Sequence, residues 1–242
     1  MERNDKCFCG SGKKYKKCHY HISGESKLAD MYRKNAAFDE VCNNLGIGNT
    51  CINGCSECCK DYFFVSENEF LMIVEELLHR GENIKLYMEK AQKNKKIIAE
   101  KHPELLEKLE KIMPSGGREC LNSSYFRDNE NPRDLPACIF LNGQHKCSIY
   151  NVRPFICRTY GTTEVCQFLS NNHIPLQEQI NMMENTIIRS DDNQSIMKRP
   201  YPLFYWFSEF LKKPYDFLTL TKVEKIKNNT EKEFYNFNRQ LH

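Results

Sequence analysis

The stretch CINGCSECC, residues 51–59, most constrains what this chain can fold into, because it places four cysteines within nine positions. The 242-residue chain contains 13 cysteines, an odd number that excludes complete disulfide pairing within one chain. A chain of this length buries a sizeable core without cross-links, so cysteines are not needed to compensate for small size. Clustered thiols in such a chain indicate metal or redox chemistry.

Charge and hydropathy narrow the class of protein further. The N-terminal sequence MERNDKCFCG is charged and has no apolar signal region, and no stretch approaches the ~18 apolar residues of a membrane span. We therefore expect a cytoplasmic chain that does not enter a membrane. The net charge of +3 argues against general nucleic-acid binding by the main domain. The first twenty residues, however, are basic, since two carboxylates accompany six cations: Arg3, Lys6, Lys13, Lys14, Lys16 and Lys17.

Helical patterns dominate the sequence and alternating strand patterns are scarce, which predicts a mostly α fold. The basic, cysteine-rich start predicts a small metal-binding module over residues 1–22. An α-rich domain is predicted over 26–242. Its metal-binding core is predicted within 50–160 and its C-terminal helices within 175–242.

Several helix boundaries follow from local signals. Ser66–Glu69 has the pattern of a capping box, and the helix it opens is expected to end at Gly81. Pro103 marks a break or a new first turn in a charged helical stretch. The apolar run over residues 201–211 favours a core helix over an exposed partner surface. A final charged helix is predicted over 221–241.

The segment CFCGSGKKYKKCH contains a C-x-C-x8-C-H pattern. Three thiolates and one imidazole make a complete tetrahedral set for zinc. Glycines beside the first pair supply a tight turn that lets the chain fold back over one ion. Because protein groups fill every position, the pattern predicts a structural zinc site formed by Cys7, Cys9, Cys18 and His19.

This segment resembles the SEC-C zinc motif, which occurs in the SecA translocation ATPase and in many small bacterial proteins. The resemblance covers the Gly10–Lys13 turn, Tyr15 and the Cys18-His19 pair, whereas Phe8 stands where proline is common. In SecA the motif engages the chaperone SecB and the ribosome. The resemblance therefore implies a basic docking module with a ribosomal or chaperone partner.

A second set of thiols combines the opening stretch with a downstream C-x8-C-x9-C pattern. If the last five positions of CINGCSECC form a helical turn, Cys55 lies beside both Cys58 and Cys59. Adjacent side chains on a helix diverge by about 100°, so those two thiols do not reach one ion equally well. Which four ligate stays open among the seven candidates: Cys51, Cys55, Cys58, Cys59, Cys138, Cys147 and Cys157.

These two blocks resemble the YkgJ family, also called the CxxCxxCC zinc- or iron-chelating domain. The downstream block reads Cys138-Ile-Phe-Leu141 and then Cys147-Ser-Ile-Tyr-Asn-Val-Arg-Pro-Phe-Ile-Cys157-Arg158. The upstream block reads C-x3-C-x2-C-C, one residue longer at its first gap than the family name. The resemblance covers about residues 50–160 and implies bound zinc or iron. Flagellar lysine methylase carries a similar domain with an iron–sulfur cluster, so a 4Fe-4S centre also stays open.

Two arginines accompany the downstream cysteines. A four-thiolate zinc site carries a charge of −2, and guanidinium groups can donate hydrogen bonds to its sulfurs from outside the ring of ligands. We expect Arg153 and Arg158 to do this, and the alternative is that both form surface ion pairs. Pro154 suits the first turn of a helix that presents Cys157 to the site.

Three functional hypotheses follow. The first is a bacterial metal-binding adaptor, with a SEC-C zinc module joined to a cysteine-held zinc or iron centre. The second is an iron–sulfur redox or radical enzyme, and the third is a thiol sensor that releases metal on oxidation. No catalytic residue and no organic-cofactor motif is recognisable, since the sequence lacks a phosphate-binding loop, a dinucleotide fingerprint and a nucleophile elbow. Whether the protein is an enzyme is left open.

Overall fold

The computed structural model of this chain describes residues 1–44, 56, 59, 65–111, 135–159 and 201–241. Helices predominate in these ranges, and their β structure consists of isolated bridges, so the mostly α fold is confirmed. Short 3-10 turns lie at Tyr15–Lys17 and Tyr150–Val152. The α-helices are α1 Lys27–Asn44, α2 Glu67–His79, α3 Ile84–Lys101, α4 Pro103–Lys111, α5 Phe155–Thr159, α6 Leu203–Glu209, α7 Asp216–Asn228 and α8 Glu231–Gln240.

The predicted boundaries of α2 are confirmed. The Glu69 N–H donates to Ser66 Oγ over 3.3 Å, and the Ser66 N–H donates to Glu69 Oε2 over 3.0 Å, which completes the capping box. Beyond the end of the helix, Gly81 has a φ of +65°, a backbone conformation that glycine adopts without strain. Pro103 is the first residue of α4, as its fixed φ and missing N–H favour.

The prediction of one helix over 221–241 is wrong. The chain forms α7, which starts earlier, and α8, which begins after a second capping box. The Thr230 side chain accepts from the Glu233 N–H, and the Glu233 carboxylate accepts from the Thr230 N–H. This T-x-x-E pattern starts a new helix two residues after α7 ends. The part of the predicted helical region 175–242 that precedes residue 201 lies outside the described residues.

The chain divides into two compact units. The first consists of Met1–Cys51, Arg158–Ile196 and Thr221–His242, and the second of Ile52–Cys157 and Met197–Leu220. The division into domains 1–22 and 26–242 stays a prediction. In the described ranges, no helix is long and apolar enough to cross a bilayer.

The core of the second unit is aromatic and centres on α6. Trp206 is fully buried and stacks on Phe70 of α2 with ring centroids 4.8 Å apart. Its indole N–H donates to the Val65 carbonyl over 2.8 Å. Phe207 lies edge-on to both Phe70 and Phe140 at 5.5 and 5.2 Å. The prediction of a core helix in residues 201–211 is therefore confirmed.

In the first unit, the start of α1 contacts the junction of α7 and α8. The Ser23 N–H donates to the Lys227 carbonyl over 2.9 Å, and the Lys27 N–H donates to the Asn229 carbonyl over 2.8 Å. The Lys27 ammonium is buried and lies 2.8 Å from the Glu231 carboxylate. A buried ammonium needs such a partner, so this pair fixes α1 against α8.

Candidate metal centres

The predicted N-terminal ligands come together. The donor atoms of Cys7, Cys9, Cys18 and His19 all lie within 4.8 Å of one another. His19 Nδ1 is 3.3 Å from Cys7 Sγ and 3.2 Å from Cys18 Sγ, and Cys9 Sγ is 3.6 Å from Cys18 Sγ. Three thiols and one imidazole so close together form a donor set that can hold a metal ion.

Local backbone bonds create this arrangement. The Cys7 N–H donates to the Lys13 carbonyl over 2.8 Å, and an antiparallel bridge pairs Lys6 with Lys14. The turn between them contains Gly10 and Gly12, with φ values of +75° and +72°. Side chains other than glycine strain this conformation. The GSG sequence therefore lets the chain reverse and return Cys18 to the first two cysteines.

The N-terminal module packs on α1. Phe8 is buried, and its ring lies 5.7 Å from that of Tyr32, while the His19 ring lies 4.6 Å from the same tyrosine. A Cβ added to Gly10 would lie 2.8 Å from the Cβ of Ala36, closer than real Cβ contacts. Phe8, which stands where proline is common, therefore makes an aromatic contact with α1. This contact helps to hold the short N-terminal module against that helix.

The environment of the thiols separates their acidities. Burial raises the pKa of Cys7 to about 12. Burial also acts against ionisation of Cys9, but hydrogen bonds from His19 and Ser11 outweigh it and lower the pKa of Cys9 to about 6. Ser11 Oγ lies within hydrogen-bond distance of Cys9 Sγ, at 3.1 Å, and 3.5 Å from Cys18 Sγ.

A basic surface encloses this site. The six cations of residues 1–20 are exposed, and the guanidinium of Arg3 lies 5.5 Å from the centre of the Tyr20 ring. Lysines therefore face solvent on the outside of a compact loop whose inside holds thiols and aromatic rings.

The second set of thiols is described in part. Cys51, Cys55 and Cys58 lie outside the described residues. The Cys59 N–H donates to the Ser56 carbonyl over 2.9 Å, which forms a turn at the end of the upstream block. The Cys138 N–H then donates to the Cys59 carbonyl over 2.6 Å. This bond joins Cys59 to Cys138 across almost eighty residues. Among the described residues, the thiols of Cys59, Cys138, Cys147 and Cys157 do not form a group of three or more close donors like the one at the N-terminus.

The downstream cysteines lie on a tight reversal and a short helix. A bridge pairs Leu141 with Cys147, and the Ser148 N–H donates to the Phe140 carbonyl over 2.9 Å. The Asn142 side chain accepts from two backbone N–H groups inside the turn, each over 2.9 Å. Cys157 lies in α5, which begins three residues after the end of the 3-10 turn. Residues 135–159 therefore combine turns, one isolated bridge, a 3-10 turn and a short helix.

The two arginines have partners in the structure. Arg153 is buried and donates to the Tyr150 carbonyl over 2.7 Å, with its guanidinium 3.8 Å from the centre of the Tyr150 ring. Arg158 Nη1 lies 2.7 Å from the Asp39 carboxylate, in a pair whose arginine side chain is 2% exposed. Asp39, its partner, is 35% exposed, so the pair joins a buried guanidinium to a carboxylate at the surface. Their hydrogen bonds to sulfur stay a prediction.

Sequence reasoning missed three polar side chains that bond to backbone near the downstream cysteines. They lie on α2, just after α2 and on α3, far from the cysteines in sequence. The capping-box pattern locates the first, but its second bond and the other two residues have no sequence signal. The bonds are Glu69 Oε1 from the Phe155 N–H at 2.7 Å, Arg80 Nη1 to the Ser148 carbonyl at 2.8 Å and Asn94 Nδ2 to the Ala137 carbonyl at 2.9 Å.

Comparison with known families agrees with this geometry. Residues 50–174, just over half of the chain, match the CxxCxxCC family, described as a zinc- or iron-chelating domain. The chain belongs to the CxxCxxCC family. Residues 3–20 of this CxxCxxCC protein also match the SEC-C motif, so both predicted resemblances are confirmed. No curated protein and no solved structure gives a significant match to it. The matched families and the grouped N-terminal donors characterise a metal-binding protein.

Proposed function

We propose that this CxxCxxCC-family chain is a cytoplasmic metal-binding adaptor. Zinc fixes its N-terminal docking module, and a second zinc or iron ion, held by cysteines, organises the family domain. The observation that carries the proposal is the set of four donor atoms within 4.8 Å of one another at the N-terminus. We call the Cys7–His19 site the first centre. We call the site of the remaining clustered cysteines the second centre.

Zinc suits the spacing of the first centre. Ideal Zn–S and Zn–N bonds of about 2.3 and 2.0–2.1 Å predict tetrahedral edges of about 3.8 Å between sulfurs and about 3.5 Å between sulfur and nitrogen. Three of the six donor-to-donor distances are 3.6 Å for Cys9–Cys18 and 3.2–3.3 Å for His19 with Cys18 and Cys7, and the others are no longer than 4.8 Å. Four protein donors leave no position for substrate, which favours a structural role.

The second centre rests on family membership and on the contact between Cys59 and Cys138. Sulfur donors suit zinc, iron and iron–sulfur clusters alike, so the donor type does not select among them. In the adaptor hypothesis the ion holds the upstream and downstream cysteine blocks together and has no reaction to perform.

The partner of the docking module is an acidic surface, on a ribosome or a chaperone. Three thiolates and a neutral imidazole around Zn²⁺ leave a charge of −1, while six exposed cations face outwards. Such a surface attracts polyanions and acidic proteins, and its attraction falls as salt increases.

A charge-reversal pair tests the docking surface. Lys16→Glu with Lys17→Glu is expected to weaken binding to purified ribosomes or to SecB at least 10-fold at low salt, measured by co-sedimentation or interferometry. The matched control is Lys90→Glu with Lys93→Glu, which reverses two exposed lysines of α3 and should leave binding unchanged. Equal losses in the two variants would mean that the partner responds to net charge and not to the module.

Metal content tests the adaptor hypothesis as a whole. Protein purified without air or chelator is expected to contain two equivalents of zinc, or one of zinc and one of iron, by elemental analysis. An adaptor with two zinc ions has no visible absorption band. Folded protein without bound metal would contradict the proposal.

The rival hypothesis is an iron–sulfur redox enzyme. The seven candidate thiols of the second centre favour it, since one four-ligand ion needs fewer. Iron with acid-labile sulfide and a broad absorption band around 400 nm, the region of sulfide-to-iron charge transfer, would support it. Reversible metal release with disulfide formation would instead support the thiol sensor.

A further inference from the structure

The downstream cysteines lie in a segment with little regular structure of its own. Between residues 135 and 159 the backbone forms turns, one isolated bridge, a 3-10 turn and the five-residue α5. A metal centre needs its donors held to within about 0.5 Å, which such a segment does not achieve alone. Bonds from the surrounding helices must supply the missing constraint.

Glu69 constrains the backbone before Cys157. Its carboxylate is buried, and Oε2 accepts from both the backbone N–H and the hydroxyl of Ser66. Its other oxygen, Oε1, accepts the Phe155 N–H over 2.7 Å. One capping carboxylate therefore fixes the start of α2 and the start of α5 together, and the Cys157 thiol follows two residues later.

Asn94 and Arg80 do the same for the other two cysteines. Asn94 is buried in α3, and its amide donates to the carbonyl of Ala137, the residue before Cys138. Arg80 donates to the carbonyl of Ser148, the residue after Cys147, and is itself oriented by Glu76 and Glu82 at 2.7 and 3.2 Å. Each downstream cysteine therefore has one such anchor within two residues of it.

We propose that Glu69, Arg80 and Asn94 are positioning residues of the second centre, each holding the backbone beside one downstream cysteine. This inference rests on the proposed function, since it requires a metal ion at that centre. Partners that orient metal ligands from outside the coordination shell typically change metal affinity 10–100-fold when they are removed. We expect the same order of effect here.

The chain offers a matched control for Glu69. Glu233 forms the same capping box with Thr230 at the start of α8, but it is exposed and caps one helix. Ser66 donates to one oxygen of Glu69 and the Phe155 N–H donates to the other. Glu69→Gln replaces one of these oxygens with an NH₂ group, so one of the two donors loses its acceptor. Glu233→Gln disturbs a capping box alone, so the difference between the variants measures what Glu69 contributes beyond its cap, including the bond to Phe155.

A second matched pair tests Asn94 independently. Asn94→Asp removes the donor to the Ala137 carbonyl with almost no change of shape. Gln92→Glu makes the same change two residues earlier on α3, where the Gln92 amide donates to the Ser208 carbonyl over 2.7 Å. Ser208 belongs to α6 and has no neighbouring cysteine. This pair tests the positioning role even if the Glu69→Gln variant does not fold.

The experiment is a Co²⁺ titration of the reduced, metal-free 242-residue chain. Cobalt binding at the first centre, which the variants leave intact, serves as the internal reference. Glu69→Gln and Asn94→Asp should weaken cobalt binding at the second centre about 10-fold and alter its ligand-field spectrum. Their controls should change neither, and urea unfolding of each metal-free variant reports general destabilisation. Equal affinities in variants and controls would overturn the inference, as would losses that follow metal-free stability in all four.

The titration also separates this inference from the proposed function. If the unmutated protein takes up one equivalent of cobalt, at the first centre alone, the proposed second centre is wrong and the positioning role falls with it. If it takes up two and the variants match their controls, the second centre stands and the positioning role alone is wrong.

Discussion

The two proposed centres differ in how far apart in the sequence their donors lie. The first gathers its four donors from the thirteen residues Cys7–His19, and its turn forms between neighbours in the chain. The second links Cys59 to Cys138 across the whole of α2, α3 and α4. Closing a loop of that length costs more conformational entropy than closing a short turn. Helices and an aromatic core must therefore help to close it.

The two regions also differ in how much metal binding contributes to their folding free energy. In a segment as short as residues 1–22, metal binding supplies much of the folding free energy. In the second unit, the stacking of Trp206 on Phe70 and the bonds from Glu69 and Asn94 involve no metal donor. We therefore expect loss of metal to unfold the first region and to leave the helices of the second in place.

The largest expected effect is on the first centre. Cys18→Ser removes a ligand that lies within reach of two other donors, so the protein should lose one equivalent of zinc. Structural zinc in isolated fingers contributes about 10–16 kcal/mol, so residues 1–22 should become sensitive to protease. Elemental analysis and limited proteolysis measure the two results.

Cys42→Ser is the control for that substitution. Cys42 is fully buried in α1 and is not one of the candidate metal ligands. Its replacement should lower stability by about 1–3 kcal/mol with metal content unchanged. Loss of metal from this variant as well would mean that zinc uptake depends on the fold of α1 and not on the four donors.

A smaller effect should reveal how the first module depends on α1. Gly10 and Gly12 have nearly the same φ, but a Cβ at Gly10 would collide with Ala36 and one at Gly12 would meet nothing within 4 Å. Gly12→Ala should cost about 1–2 kcal/mol from backbone strain. Gly10→Ala should cost about 1–3 kcal/mol more, because overpacking is added to the strain. Thermal unfolding of the zinc-loaded protein measures both.

Ala36→Gly tests the cause of that difference. It removes the methyl group that faces Gly10, at about 1 kcal/mol of helix propensity. In the Gly10→Ala background it should recover most of the additional loss, whereas in the Gly12→Ala background it should only add its own cost. Additive behaviour in both backgrounds would show that the module does not press against α1 in solution.

The contrast between the centres also explains what the sequence could reveal. The C-x-C-x8-C-H spacing predicted the first site because all its donors are local, and capping residues predicted the limits of α2 for the same reason. The apolar run that became α6 was also readable. The T-x-x-E signal at Thr230 is equally local and was missed, since charged residues continue through it.

The side-chain contacts beside the downstream cysteines depend on tertiary structure instead. The acceptor of the Phe155 N–H is 86 positions away, and Asn94 and the Ala137 carbonyl are 43 apart. The pair of Arg158 with Asp39 spans 119 positions. No periodicity or short motif encodes contacts between residues so far apart in the sequence. The cysteine spacing therefore identified seven candidate thiols but not the side chains that position them.

The smallest predicted effect concerns the scaffold of the second centre. Burial alone would raise the pKa of Glu209, but bonds from Lys95 and Lys212, at 2.8 and 2.9 Å, outweigh it and lower the pKa. A carboxylate with a lowered pKa stabilises the fold above its unfolded pKa of about 4.3, and this contribution disappears as pH falls through the folded value. Glu209→Gln should therefore cost about 1 kcal/mol at pH 7, and the difference from the unmutated protein should close as the pH falls through the lowered folded pKa.

Urea unfolding of metal-free protein across this pH range measures the scaffold without zinc at either centre. Glu89→Gln is the control, because its pair with Lys85 is exposed and 4.0 Å long, and it should have little effect at any pH. A constant loss for Glu209→Gln at all pH values would mean that the side chain acts by packing and not by charge. The expected closure would instead show that the charge of Glu209, through its pairs with Lys95 of α3 and with Lys212, stabilises this scaffold before any metal is bound.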